Sequence, residues 1–142
     1  WSGELAMYWS FKEPSRTTLA TRVGFQHAFD DFEFFQAARL DGFNTLRGFS
    51  RYRFAGKTSF YHQLDLRIKL FDWQSYFLPS QVGLLLFNDL GRVWLDGETS
   101  DTLHHGYGAG IWVAPLNRFV INILMAKSEE NFLPQVKFGF YF

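Results

Sequence analysis

Cysteine is absent from the 142 residues, which excludes a disulfide framework and any thiolate metal site. Charge of one sign is missing too: fourteen basic and fourteen acidic residues cancel, with no basic tract and no acidic tail. Nucleic acid is therefore not expected as a partner. Long hydrophobic runs are lacking. The longest stretch of purely aliphatic and aromatic residues is Leu84–Phe87, far short of the roughly 20 residues that a membrane-spanning helix needs. Helical periodicity is missing along the whole chain. Trp1 opens directly into patterned sequence, so we expect a mature chain, a truncated one, or both.

Aromatic residues, by contrast, are abundant at 20 %, with eighteen Phe, yet the mean hydropathy is only −0.12. Apolar residues must then be interleaved with polar ones. Eight segments alternate with period two, the signature of strands with one apolar side. In Ser59–Phe71, Phe60, His62, Leu64, Leu66, Ile68 and Leu70 oppose Tyr61, Gln63, Asp65, Arg67 and Lys69. Thr18–Phe29 sets Leu19, Val23, Phe25 and Phe29 against Arg22, Gly24 and Gln26. Glu4–Lys12 sets Leu5, Met7, Trp9 and Phe11 against Glu4, Tyr8 and Ser10. Gln135–Phe142 sets Val136, Phe138, Phe140 and Phe142 against Gln135, Lys137 and Gly139. Phe32–Leu40, Gln81–Val93, His104–Ala114 and Arg118–Lys127 are fainter, the second blurred by its apolar run.

Several of these segments match the about 9–11 residues of a tilted membrane strand. Tight connections fall at Phe29–Asp31 and Ala114–Asn117; longer polar ones fall at Lys12–Thr17, Asp41–Thr58, Leu95–Leu103 and Ser128–Pro134. The alternation of short and long is that of an outer-membrane barrel, short turns periplasmic and long loops outside. Asp72–Ser80 breaks it by being longer than its place predicts. Eight strands would return both ends of the chain to the periplasm. Trp9, Trp73, Trp94, Trp112, Tyr76 and Tyr141 near strand ends suit interfacial girdles. Parity alone does not say which face is the lumen, so a soluble eight-stranded lipid-carrier barrel stays open as an alternative.

Two stretches carry a family resemblance. Leu46-Arg47-Gly48-Phe49, after Leu40-Asp41-Gly42 and before Arg53-Phe54-Ala55-Gly56, resembles the lumen-folded loop motif of the BamA/TamA (bacterial surface antigen) superfamily. Phe87-Asn88-Asp89-Leu90-Gly91 is similar to that family's F-x-D-x-G segment. Between them, Gln63–Arg67 resembles its E-x-R strand, with Asp65 where Glu is usual, and Gly108-Ala109-Gly110-Ile111 with Pro115-Leu116 resembles its glycine-rich strand and turn. The resemblance runs from about Phe32 to Phe142. It implies a transmembrane antiparallel β-barrel, all-β, in which this chain supplies eight strands. They would be strands nine to sixteen of sixteen, with the loop between its third and fourth strands. Residues 1–142 would then be one incomplete domain, completed by unseen strands or a second copy, since open edges in lipid are costly.

The resemblance further implies that Arg47 enters the lumen and meets carboxylates, here Asp89 and Asp65. Parity independently places Asp65 on the polar face. Gly48 would allow the bend and Phe49 would pack the tip. Gln135, Phe138, Phe140 and Phe142 resemble a C-terminal insertion signal, with Lys137 standing where a glycine is usual; a plain lipid-facing last strand would look the same. Gly106, Gly108 and Gly110 share one face and suggest close approach by another backbone, such as the folded-in loop. His104 and His105 point to opposite faces of a strand and so do not chelate one ion. No catalytic set, metal site or cofactor is expected. The function implied is protein insertion or translocation at a Gram-negative outer membrane. Its partners would be lipid and lipopolysaccharide, the barrel-assembly machinery and client proteins. The rival is a barrel anchoring or exporting a fused phosphoesterase or lipase-type enzyme.

Overall fold

A computed structural model describes residues 1–11, 16–27, 38–40, 45–49, 54–94 and 102–139. The protein is all-β. Its strands are β1 (Ser2–Phe11), β2 (Thr17–His27), β3 (Ala38–Leu40), β4 (Phe54–Gly56), β5 (Thr58–Trp73), β6 (Ser80–Trp94), β7 (His104–Pro115), β8 (Ile121–Ser128) and β9 (Phe132–Phe138). Seven of them form one antiparallel sheet in the order β1-β2-β5-β6-β7-β8-β9, and β3 pairs with β4 in a separate two-stranded ribbon.

The eight-strand expectation is corrected here. Of Phe32–Leu40, residues 32–37 lie outside the described residues, and Ala38–Leu40 pairs with Phe54–Gly56. The place foreseen for a third strand is closed because β2 and β5 pair directly, from Thr17 opposite Ile68 to His27 opposite Thr58. Two strands of the sheet therefore precede the motif loop and five follow it. The parity of the ends changes with this count. The start of β1 lies at the end of the sheet that holds Thr58, Trp94, His104 and Ser128; β9 finishes at the opposite end, beside Ile121. Both ends of the chain cannot then face the periplasm in a sheet that crosses a membrane. The Lys12–Thr17 connection likewise joins Asp72–Ser80 and Ala114–Asn117 at one end, away from the long loops. Phe29–Asp31 lies outside the described residues.

From β5 to β9 each strand has a covered and a bare face, and the covered face is the polar one on β5. Ser59, Tyr61, Gln63, Asp65 and Arg67 are buried, while Leu64, Leu66 and Ile68 are half-exposed. Two adjacent cross-strand rows on the bare face are wholly apolar. One runs Leu19, Leu66, Leu86, Ala109, Met125; the next runs Ile68, Leu84, Ile111, Ile123, Val136. Leu86 is 44 % exposed and Ile123 57 %. Histidines on this face come with partners: His62 with the Thr21 hydroxyl at 2.8 Å, and His105 with the Asn88 amide at 2.8 Å.

The covered face is apolar toward the short-connection end, where Leu85, Phe87, Trp112, Ala114, Leu124 and Ala126 pack together. This explains the blurred alternation of Leu84–Phe87, since both of its faces are greasy there. Trp112 is thus not a girdle residue. It points inward, is buried, and donates its indole N–H to the Leu84 carbonyl at 3.1 Å. Trp9, Trp73, Trp94 and Tyr76 are exposed, and Tyr141 lies outside the described residues.

Candidate functional site

The segment Thr45–Phe49 lies on the covered face of the sheet, with Leu46, Arg47, Gly48 and Phe49 all buried. One cross-strand row receives it. Gln63 on β5, Asp89 on β6, Gly106 on β7 and Ser128 on β8 are successive partners in register. Asp89 accepts the Arg47 backbone N–H at 2.9 Å and its Nε–H at 2.7 Å through Oδ2, and its Nη2–H at 2.5 Å through Oδ1. The same Nη2 donates to Asp65 Oδ1 at 2.7 Å. A planar guanidinium fork suits this two-carboxylate grip, which a lysine ammonium would not reproduce.

Asp65 also accepts from Arg67 Nη2 at 3.3 Å, so two carboxylates face two guanidinium groups and the charges balance. Arg47 Cζ stands 4.0 Å from the centroid of the Phe87 ring, adding a cation–π contact out of water. Burial alone pushes the Arg47 guanidinium down; Asp89 and Asp65 outweigh it and hold the group above its ordinary value. It stays charged.

The backbone around Arg47 is fitted as closely as its side chain. Gly48 has φ +96°, a left-handed conformation, and a Cβ there would come within 3.1 Å of the Lys127 carbonyl. Its own carbonyl accepts from Ser128 Oγ at 2.8 Å. A Cβ on Gly106 would fall 2.1 Å from the Arg47 carbonyl oxygen, so only glycine admits the loop at this depth. Gly108 and Gly110 face the same way but make room for other atoms, the Phe87 ring and the Leu124 side chain. The Phe49 ring meets His104 edge-on at 5.8 Å between centroids.

The structure thus brings together Leu46, Arg47, Gly48 and Phe49 with Asp65 and Asp89. Ser128, Phe87 and Arg67 complete the site and were not singled out from the sequence for it. Their inward parity was readable; the register that lines Ser128 up with Asp89 was not. Gln135 and Phe138, far from this loop in the chain, sit on β9, Gln135 buried and Phe138 exposed on the bare face. Phe140 and Phe142 lie outside the described residues. Among the described residues, no group of His, Asp and Glu is placed to hold a metal ion.

The model of the haemolysin secretion/activation proteins ShlB/FhaC/HecB matches residues 1–113, which includes the loop, Asp65, Asp89 and Gly106. The chain belongs to this family. Comparison with curated proteins and with solved structures found no match. ShlB/FhaC/HecB proteins are outer-membrane secretion and translocation channels, so this is an outer-membrane chain of the secretion type. The match supports the wider Omp85-type superfamily and does not single out its BamA/TamA branch. A soluble lipid carrier is excluded on two counts. Membership of ShlB/FhaC/HecB places the chain in a membrane, and the apolar rows lie on the bare face where a carrier would turn them inward.

Proposed function

We propose that this chain forms the C-terminal wall of an outer-membrane pore that passes a partner polypeptide of the haemolysin type, with the Arg47 loop keeping the lumen ordered. The observation that carries this reading is the pairing of opposites. A fully buried ion network fixes a loop on the polar face, while the other face offers hydrocarbon rows to lipid. By the count of the family resemblance, two strands before the loop and five after correspond to strands ten to sixteen. The long connections then lie outside, the start of β1 with them, and β9 ends toward the periplasm. Lipopolysaccharide, the barrel-assembly machinery and the secreted client are the partners in this reading, and unseen strands complete the wall.

The test is secretion by the full-length protein. Arg47→Ala and Asp89→Asn should each lower the amount of partner reaching the medium about tenfold, a loss near 1.4 kcal/mol if secretion tracks loop docking. The barrel itself should still be inserted and shift on heating. Parental secretion by both variants would remove the loop from the mechanism.

A further inference from the structure

The connection from β5 to β6, residues 74–79, is the one whose length the loop pattern leaves unexplained, and its surroundings give it a use. A β-bulge shifts the register between Lys69 and Phe71. Without it, strict alternation from Arg67 would turn Phe71 and Trp73 inward. With it, Phe71 stands opposite Val82 and Trp73 opposite Ser80, both re-aimed to the bare face. The connection is then tied down at its far end. Pro79 accepts from the Leu116 backbone N–H at 2.7 Å, and Leu116 is held at φ 54°, where a bulky residue rarely sits.

These features border a half-open cleft of about 400 Å³, lined by Phe71, Trp73, Leu78, Val82 and Val113 with the hydroxyl residues Ser75 and Ser80. That volume falls in the roughly 300–1,000 Å³ of ligand pockets. The Ser80 hydroxyl is used internally, donating to the Leu78 carbonyl at 3.0 Å, so the wall is essentially hydrocarbon. Among the described residues, two exposed arginines lie at this end of the sheet. Exposed Arg118 lies in the turn that Leu116 ties to Pro79. Exposed Arg16 precedes β2, its carbonyl accepting from the Lys69 N–H at 2.6 Å. Among the described residues, the carboxylate at this end is Asp72, which is paired with Lys69 at 2.8 Å.

We propose that this cleft holds one acyl chain of an anionic phospholipid from the leaflet at the short-connection end, with the lipid phosphate against Arg118. The proposal rests on the reading that the bare face meets lipid, and the experiment separates the two. The full-length protein is reconstituted in phosphatidylcholine vesicles containing a small fraction of either chain-brominated phosphatidylglycerol or chain-brominated phosphatidylcholine. Bromine quenches tryptophan on contact, and the Trp73 share is the difference between the parent and Trp73→Phe. A Leu86→Trp variant reports on the open face away from the cleft.

The expected result is at least threefold stronger quenching of Trp73 by the brominated phosphatidylglycerol, with Leu86→Trp quenched equally by both lipids. Arg118→Gln, in an exposed turn, should abolish the preference, and Val113→Phe should fill the cavity and lower Trp73 quenching by both. Equal quenching of Trp73 by the two lipids, or a preference that survives Arg118→Gln, overturns the site. An unquenched Leu86→Trp overturns the lipid-facing reading itself.

Discussion

Arg47 makes its contacts through both its side chain and its backbone, so a substitution at this position separates them. Arg47→Ala keeps the backbone bond to Asp89, strips buried Asp89 of its cation and leaves Asp65 with Arg67 alone. Leaving such groups uncompensated costs about 3–5 kcal/mol. Denaturant unfolding of the full-length variant in detergent should show a loss of that order; a variant as stable as the parent would mean that water reaches the site. Gly106→Ala tests the backbone fit alone, since its methyl group would collide with the Arg47 carbonyl. The expected penalty is about 1–3 kcal/mol, the usual range for overpacking. Gly3→Ala, with nothing within 4 Å of the new methyl, is the control and should change little. The carboxylate partners of Arg47 were legible because parity puts Asp65 inward and the resemblance supplies Asp89. Ser128 was not, because nothing in a linear pattern fixes how far one strand slides along the next.

At the level of strands, the bare face is the feature most open to test. Leu66 sits mid-strand on β5, between Leu19 and Leu86. Leu66→Arg should cost about 2–4 kcal/mol if that point lies near the bilayer midplane. A cost near zero, measured by unfolding in lipid vesicles, would mean that this row sees water. The alternation made β1, β2 and β5 legible, since one of their faces is consistently greasy and the other mostly polar or small. It points to a wall strand at Phe32–Leu40, where residues 32–37 lie outside the described ones; Ala38–Leu40 pairs locally with Phe54–Gly56 while β2 and β5 take each other as neighbours. It was also silent on the bulge after Lys69. An inserted residue reverses parity without leaving any mark in composition.

For the molecule as a whole, the sheet has two edges, β1 and β9, that do not pair with each other among the described residues. Every residue of β1 is exposed. Unpaired backbone groups in hydrocarbon cost several kcal/mol each, so residues 1–142 produced alone should self-associate in detergent, as judged by size-exclusion chromatography with light scattering. A monodisperse monomer would show that the edges close on each other. Parity errors also propagate at this scale: one strand fewer puts the two ends of the sheet's chain path at opposite ends of the strands.

The loop, finally, is fastened to Asp65, Asp89 and Ser128 and rests on Gly106, all on strands that follow it in the chain. Strands β1 and β2 precede it. If the wall parts at a seam beside either of those strands, the inserted segment rides with β5–β8 as one rigid passenger. A passage opening there would widen without first dislodging it.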